Sequence, residues 1–220
     1  MKPKFKDSDT AMYKANKQFG DYFELACIPF IEEKFNKVLN TQKKYLKYLC
    51  DNQGDTVIEL KGWDLMFGIY NESGELLKKL TFEIKTDKTM IGDNPSPNCF
   101  FERTCSKKPS GVYVSTADFF VYSMPLYNEE NFFIVKPNDL VNLFKANPQY
   151  RIVSGGEGNR VRGYLLTKDE FVEDFIGAGG KVWNWNITIP AEFGIQKEVI
   201  KYEFEEIENK LTYKEVKMRF

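Results

Sequence analysis

Three charged residues stand among apolar neighbours in the stretch WDLMFGIYNESGELLKKLTFEIK, Trp63 to Lys85: Asp64, Glu83 and Lys85. Charges so placed are costly to bury unless they pair, hydrogen-bond or hold a metal. The two runs around NESG read as a hairpin of two strands, 57–70 and 76–86. With the turn centred between Ser73 and Gly74, Asp64 falls directly opposite Glu83, their Cβ atoms about 4.5–5.5 Å apart. Lys85 shares the face of Glu83, two residues along, while Leu80, Phe82 and Ile84 form the other face. Opposed carboxylates destabilise a sheet by ~0.2–1 kcal/mol when exposed, and by more when desolvated. A divalent cation between them reverses that sign, and Mg²⁺ takes one or two carboxylates while keeping several waters. The same spacing also suits a solvated face with a cross-strand Asp–Lys pair.

The rest of the composition narrows the chemistry. The chain has no histidine, which removes Ser-His-Asp and Cys-His nucleophile pairs, His-ligated zinc and a histidine general base. Proton transfer would then fall to carboxylates, lysines, tyrosines or a metal. Cys27, Cys50, Cys99 and Cys105 have no CxxC spacing, so they read as reduced thiols, two of them buried. A formal net charge of −1 excludes a bulk polycation but allows the local basic patch that nucleic-acid binding needs. No apolar run is long enough for a membrane span, and the basic N-terminus lacks the apolar stretch of a signal peptide. The expectation is a soluble, cytoplasmic protein.

The elements that must position these residues follow from periodicity. Phe19, Tyr22, Phe23, Ala26, Cys27, Phe30 and Ile31 recur at helical spacing, predicting a helix over 8–39, capped at Ser8 or Asp9 and kinked or split at Pro29. TQKKYLKYLCDNQGD continues as helix or loop. IGDNPSPNC is a loop, CFFERTC a short strand, SKKPSG a turn, and ADFFVYSM and NFFIVKP are strands. NDLVNLFKA is a helix with Asn138 as cap. GGEGNR is a loop without the GK[ST] ending of a phosphate loop, RGYLLT is a strand and KDEFVEDFI a short helix. The charged amphipathic C-terminal stretch reads as a packed peripheral element. The order implies an α/β or α+β domain with a mixed central sheet.

An Asp on one strand and Glu-x-Lys (EIK) on the next, preceded by a helical Glu in DYFELACIPFIEEKF, resembles the PD-(D/E)XK nuclease superfamily. Trp63 stands where the name-giving proline would be. The resemblance covers roughly Ser8 to Ala146 and implies a restriction-endonuclease-like fold, a mixed central β-sheet flanked by helices. On that basis the chain is a single nuclease-like domain, 1–220, with its core at about 8–146 and a less certain C-terminal extension at 147–220.

The resemblance also assigns roles. Asp64 and Glu83, with the Ile84 backbone carbonyl, would hold Mg²⁺, with Mn²⁺ able to substitute. Lys85 would orient or deprotonate the attacking water and offset transition-state charge. Glu24 would complete the acidic cluster, and Glu102 is an additional acidic candidate on a following strand. Ser106, Lys107 and Lys108 are candidate backbone-phosphate contacts. Lys43, Lys44 and Lys47, interleaved with Tyr45 and Tyr48 on an expected helix, form a second basic patch, and Arg151, Arg160 and Arg162 flank the GGEGNR loop. The implied activity is Mg²⁺-dependent endonucleolytic hydrolysis of phosphodiester bonds, in DNA before RNA, in a phage, restriction or recombination and repair setting. A homodimer is compatible with this reading. The alternative is a catalytically inactive module of the same fold that binds nucleic acid or protein.

Overall fold

Alternation of apolar and polar residues from Leu80 to Lys85 marks Leu76–Thr86 as the strand on which the molecule is organised. Leu80, Phe82 and Ile84 are buried on one face, and Phe82 meets Phe35, Phe67 and Phe119 at ring-centroid distances of 5.5, 5.1 and 5.3 Å. Burying such a ring contributes ~1.5–3 kcal/mol. The computed structural model describes residues 11–51, 62–86, 96, 98–126, 129–155, 160–177, 180–185, 198–207 and 210–219. Its strands are β1 (Lys44–Asp51), β2 (Leu65–Asn71), β3 (Leu76–Thr86), β4 (Asn98–Cys105), β5 (Lys108–Pro109), β6 (Phe119–Leu126), β7 (Glu129–Val135), β8 (Arg151–Gly155), β9 (Val161–Thr167), β10 (Lys181–Trp185), β11 (Glu198–Ile207) and β12 (Lys210–Arg219). Three helices accompany them: α1 (Ala11–Leu39), α2 (Pro137–Ala146) and α3 (Lys168–Gly177).

The main sheet has the order β1-β2-β3-β6-β7-β10, antiparallel throughout except for the parallel pair β3 and β6. Asp118 anchors the start of that parallel pair. Its Oδ2 accepts from Thr81 N–H at 2.9 Å, while its own N–H donates to Thr81 Oγ1 at 3.1 Å. A second, antiparallel sheet has the order β5-β4-β9-β8, and β11 pairs with β12. The architecture is therefore mixed α+β.

Each face of the main sheet is covered. On one, Cys27, Phe30 and Ile31 of α1 pack against Leu46, Leu65, Phe67, Leu80, Phe82 and Ile84. On the other, Phe120, Tyr122, Phe133 and Val135 meet β4, β9, α2 and α3 through an aromatic chain in which Phe171 touches Phe101 at 4.8 Å and Phe133 at 4.9 Å. This second core includes Tyr164, Leu166, Phe171, Val172 and Phe175. Residues beyond 146 are thus part of the interior, and packing does not divide the chain at the expected end of the core. Among the described residues, no helix is long and apolar enough to cross a membrane.

Local expectations fail in three places. The segment expected to continue as helix or loop after residue 40 is strand β1. Lys43 takes φ 57° and stops the helical turn, and Tyr45 stacks on Tyr70 across the β1–β2 pair at 5.4 Å. The tyrosine spacing that reads as helical is here strand alternation interrupted by a register shift between Tyr48 and Cys50. β1 is an edge strand, and α1 covers part of its backbone: Asn36 bonds both Leu46 N–H and Leu46 C=O, and Glu32 accepts from Tyr48 N–H. Such cover removes free edge groups that would otherwise invite pairing. Secondly, α1 is not split in two at Pro29, which lies on its exposed side. Thirdly, α2 begins at Pro137 with Lys136 as cap, two residues before the expected cap Asn138, because proline's fixed φ suits the first helical position. The expected caps Ser8 and Asp9 lie outside the described residues, as do most of IGDNPSPNC and residues 156–159 of the GGEGNR loop.

Candidate functional site

The β2–β3 hairpin sets the site's register. Asn71 Oδ1 accepts from Ser73 Oγ at 2.7 Å and from Glu75 N–H at 2.9 Å, and Gly74 supplies φ 81°. A shift between Ile69 and Tyr70 follows, after which Phe67 pairs with Leu80 and Leu65 with Phe82. One step further, Asp64 N–H donates to Phe82 C=O at 2.8 Å, and Asp64 Oδ2 accepts from Ile84 N–H at 2.6 Å. Asp64 therefore lies at the end of β2, bonded through backbone to the residues on either side of Glu83; the turn itself pairs Tyr70 with Leu76, one residue off the expected register, and the shift between Ile69 and Tyr70 restores it. Its carboxylate bridges the two chain segments through backbone.

What holds Asp64 there is Gly62, which the sequence did not single out. Gly62 has φ +66°, and its carbonyl accepts from Ser115 Oγ and Thr116 N–H, both at 3.1 Å. A Cβ on it would come to 3.0 Å from Val114 O, so glycine alone allows both the dihedral and the approach. Gly111 does the same on the opposite wall. It has φ +58°, and a Cβ would lie 2.6 Å from Glu102 O.

The result is a cleft of about 330 Å³ lined by Lys17, Asp21 and Glu24 from α1, by Trp63 and Asp64, by Glu83 and Lys85 of β3, by Glu102 of β4, and by Ser110, Gly111, Val114 and Ser115. Five residues brought forward on sequence grounds, Glu24, Asp64, Glu83, Lys85 and Glu102, converge on it from three separate parts of the fold. Lys17 and Asp21, joined by a 3.0 Å ion pair, were not foreseen as lining. Their i, i+4 relation to each other and the three-residue step from Asp21 to Glu24 was the available signal. The side chain of Ile84 is 2% exposed and belongs to the α1 core, so only its backbone can take part.

Burial is the largest influence on the carboxyls of the cleft. Burial pushes the Glu24 carboxyl up to about 7, with Asp64 adding to the rise, Lys85 opposing it, and Asp21 and Lys17 acting more weakly in opposite directions. Burial also pushes Asp64 up to about 6; Lys85 opposes this, Glu83 adds to it, and the Ile84 N–H opposes it. For Lys85 burial acts downward, but Glu83, Asp64 and Glu24 outweigh it, so its pKa ends above the ordinary lysine value. Lys85 Nζ sits 2.8 Å from Glu83 Oε1. Its side chain keeps 46% of its surface open to water, so its charge is both held and accessible. At neutral pH this lysine is an ammonium ion and not a base.

The donor set suits a hard cation. Among the described residues no group of three or more Cys, Asp or Glu side chains is assembled as a ready metal cage. Asp64 and Glu83 form a pair, and a pair is what Mg²⁺ requires when waters complete its shell. The elevated proton affinity of Asp64 and Glu24 comes first from burial, with neighbouring carboxylates adding to it and Lys85 opposing it.

A separate groove of about 510 Å³ lies on the second sheet, lined by Arg103, Thr104, Ser106, Lys107, Ile152, Arg160 and Arg162. Among the described residues that line it, four are cationic and none is acidic. Ser106 and Lys107 form the two-residue turn between β4 and β5 with φ 49° and 70°, and Ser106 N–H donates to Arg160 C=O at 2.9 Å. Lys108, exposed on β5, is not part of this lining, and Arg151 is exposed on β8. Arg103, whose guanidinium lies 5.8 Å from the Tyr164 ring centroid, joins the groove unforeseen. The patch Lys43, Lys44 and Lys47 falls at the start of β1 and on it, not on a helix.

In comparisons with known proteins, no family model matches this chain, and neither a curated protein nor a solved structure does.

Proposed function

We propose that the chain is a metal-dependent nuclease of the PD-(D/E)XK type, hydrolysing phosphodiester bonds in nucleic acid, DNA before RNA. The observation that carries this reading is the convergence of Glu24, Asp64, Glu83 and Lys85 on one cleft, with Lys85 charged among the three carboxylates. The mixed sheet, with Glu83 and Lys85 on a central strand and α1 packed across one face, supports a restriction-endonuclease-like fold. The acid-free basic groove supports a polyanionic partner, and four free cysteines support a reducing, intracellular setting.

Asp64 and Glu83, with the Ile84 carbonyl, are the groups that would hold Mg²⁺ or Mn²⁺, which when bound supplies Lewis acidity at the scissile phosphate and the attacking water. Lys85, as an ammonium, offsets the negative charge that builds on the phosphoryl oxygens as water adds to phosphorus and the bond to the leaving sugar oxygen breaks. Glu24, with a pKa near neutrality, is matched to accept the proton that the water gives up. Glu102 and Ser110 line the wall facing α1 and bound the space in which the phosphate sits.

The test is cleavage of plasmid, branched and single-stranded DNA and of RNA in Mg²⁺, Mn²⁺ and EDTA. Metal-dependent cutting abolished by Glu83→Gln is the expected result. Binding without cutting under any metal would favour the second reading, a non-catalytic module. That reading draws on the 2.8 Å Glu83–Lys85 bridge, which leaves the carboxylate already paired within the chain.

A further inference from the structure

Beside the acidic cleft lies a larger cavity of about 520 Å³, and the two share Lys85, Glu102 and Gly111 as a common wall. Their linings differ in kind. Where the cleft presents carboxylates, the cavity is lined by the half-buried ring of Phe100 and by Phe101, Phe120 and Tyr122 of the second core, which are 3% exposed. Its volume lies within the range of sites that enclose small organic ligands. Its polar side chains are those of Lys85, Thr86, Ser96, Asn98 and Glu102, and one is unsatisfied: Thr86 Oγ1 is buried and has no hydrogen-bond partner, alone in this among the side-chain atoms of the described residues. Burying a hydroxyl unpaired is costly, and a hydroxyl can both donate and accept. The cavity therefore asks for a ligand with flat apolar faces and a polar edge, attached to something anionic that reaches Lys85.

A nucleobase carried on a phosphodiester strand has that shape and chemistry. We infer that the cavity receives one unstacked nucleobase of the strand whose phosphate lies at Lys85, so that the substrate is single-stranded or locally unpaired there. This rests on the nuclease reading for the position of the phosphate. Rings on the wall supply stacking or edge contact that tolerates any base, while Thr86 and Asn98 meet the base's hydrogen-bonding edge. A base within a duplex is stacked and paired and has no such edge to offer, so it must be turned out to enter.

Gly155, on the cavity wall, provides the means to test this. A Cβ there would only touch Phe100 at 3.8 Å, so Gly155→Leu fills the cavity without straining the backbone. Thr86→Val removes the hydroxyl at nearly constant volume, and is the second variant should Gly155→Leu fail to fold by circular dichroism. The measurement is fluorescence anisotropy in Ca²⁺ buffer with a labelled single-stranded DNA oligonucleotide, a series of the same strand lacking one base at each position in turn, and the paired duplex. Wild type should bind the strand more tightly than the duplex, and removal of one particular base should weaken binding on the order of tenfold. Gly155→Leu should bind the parent strand about as weakly as wild type binds that base-less strand, and should be indifferent to the base's removal. Thr86→Val should lose several-fold.

Equal binding by wild type and Gly155→Leu, base removal without effect at every position, or no binding of any strand would each overturn the inference. Cleavage in Mg²⁺ is scored separately. Cutting without any base dependence leaves the nuclease and removes the base site, whereas base-dependent binding without cutting does the reverse.

Discussion

Asp64→Asn should make the metal-free protein more stable at neutral pH. The asparagine keeps an acceptor for the Ile84 N–H, which Asp64 engages at 2.6 Å, but carries no charge. In the folded chain the Asp64 carboxyl rises from 3.8 to about 6 and that of Glu24 from 4.5 to about 7. Each rise is a little over two pH units, so either carboxyl alone corresponds to ~3 kcal/mol. Because both pKa values are raised on folding, the associated stability is fully present below about pH 4 and is lost as pH climbs through about 6 to 7. Lys85 is also raised, but its contribution persists until pH exceeds its folded value and so stays constant in this window. The two carboxyls do not add, since the Asp64 charge is itself one cause of the Glu24 rise. Wild type should lose ~1–3 kcal/mol from this site between about pH 5 and 7.5, and Asp64→Asn should lose distinctly less. Urea denaturation of both proteins at the two pH values, without metal, measures the difference and cancels the titration of distant groups. Mn²⁺ at about a hundred times its dissociation constant should restore ~2.7 kcal/mol to wild type at the higher pH and little to the variant. Parallel pH profiles for the two proteins, together with equal responses to Mn²⁺, would refute the electrostatic account of the cleft.

Lys85→Ala should lower cleavage by ~10²–10³ while leaving the fold and Mn²⁺ binding in place, as for one electrostatic catalytic group; a variant that cuts like wild type would return EIK to ordinary strand charges. Lys107→Ala combined with Arg162→Ala should weaken DNA binding and reduce the log–log salt slope by about one for each phosphate the protein no longer neutralises, and an unchanged slope would move the nucleic-acid path off the second sheet. Gly62→Ala should cost ~1 kcal/mol or more, since φ +66° and a Cβ 3.0 Å from Val114 O both oppose it, and should slow cleavage through misplacement of Asp64; unaltered melting and unaltered rate would show that Asp64 is held by other means.

Much of the hairpin was legible because strand alternation has a period of two and a short turn fixes what lies opposite what. Phe82 and Ile84 facing α1, with Glu83 and Lys85 facing away, follows from that period, whereas the shift between Ile69 and Tyr70, which the turn does not announce, sets where Asp64 falls. Helical spacing likewise exposed the buried stripe of α1 with Glu24 beside it. Local pattern was ambiguous where two periods coincide: the tyrosines of KKYLKYLC are spaced for a helix turn, yet pairing with Tyr70 and the positive φ of Lys43 make a strand. It was silent on contacts between distant segments. That Gly62 leans on Ser115 and Thr116, that Glu102 of the second sheet shares a wall with Lys85, and that residues 161–175 complete the interior beneath Tyr122 depends on how layers meet. Such meetings are decided by packing volume and by the backbone groups that must find partners once water is excluded, and residues far apart in sequence carry no local mark of them. The sequence by itself determined which side chains could hold a cation and a phosphate; tertiary structure alone decided that five of them share one cleft, that burial raises two of their carboxyls, and that an apolar cavity opens beside them.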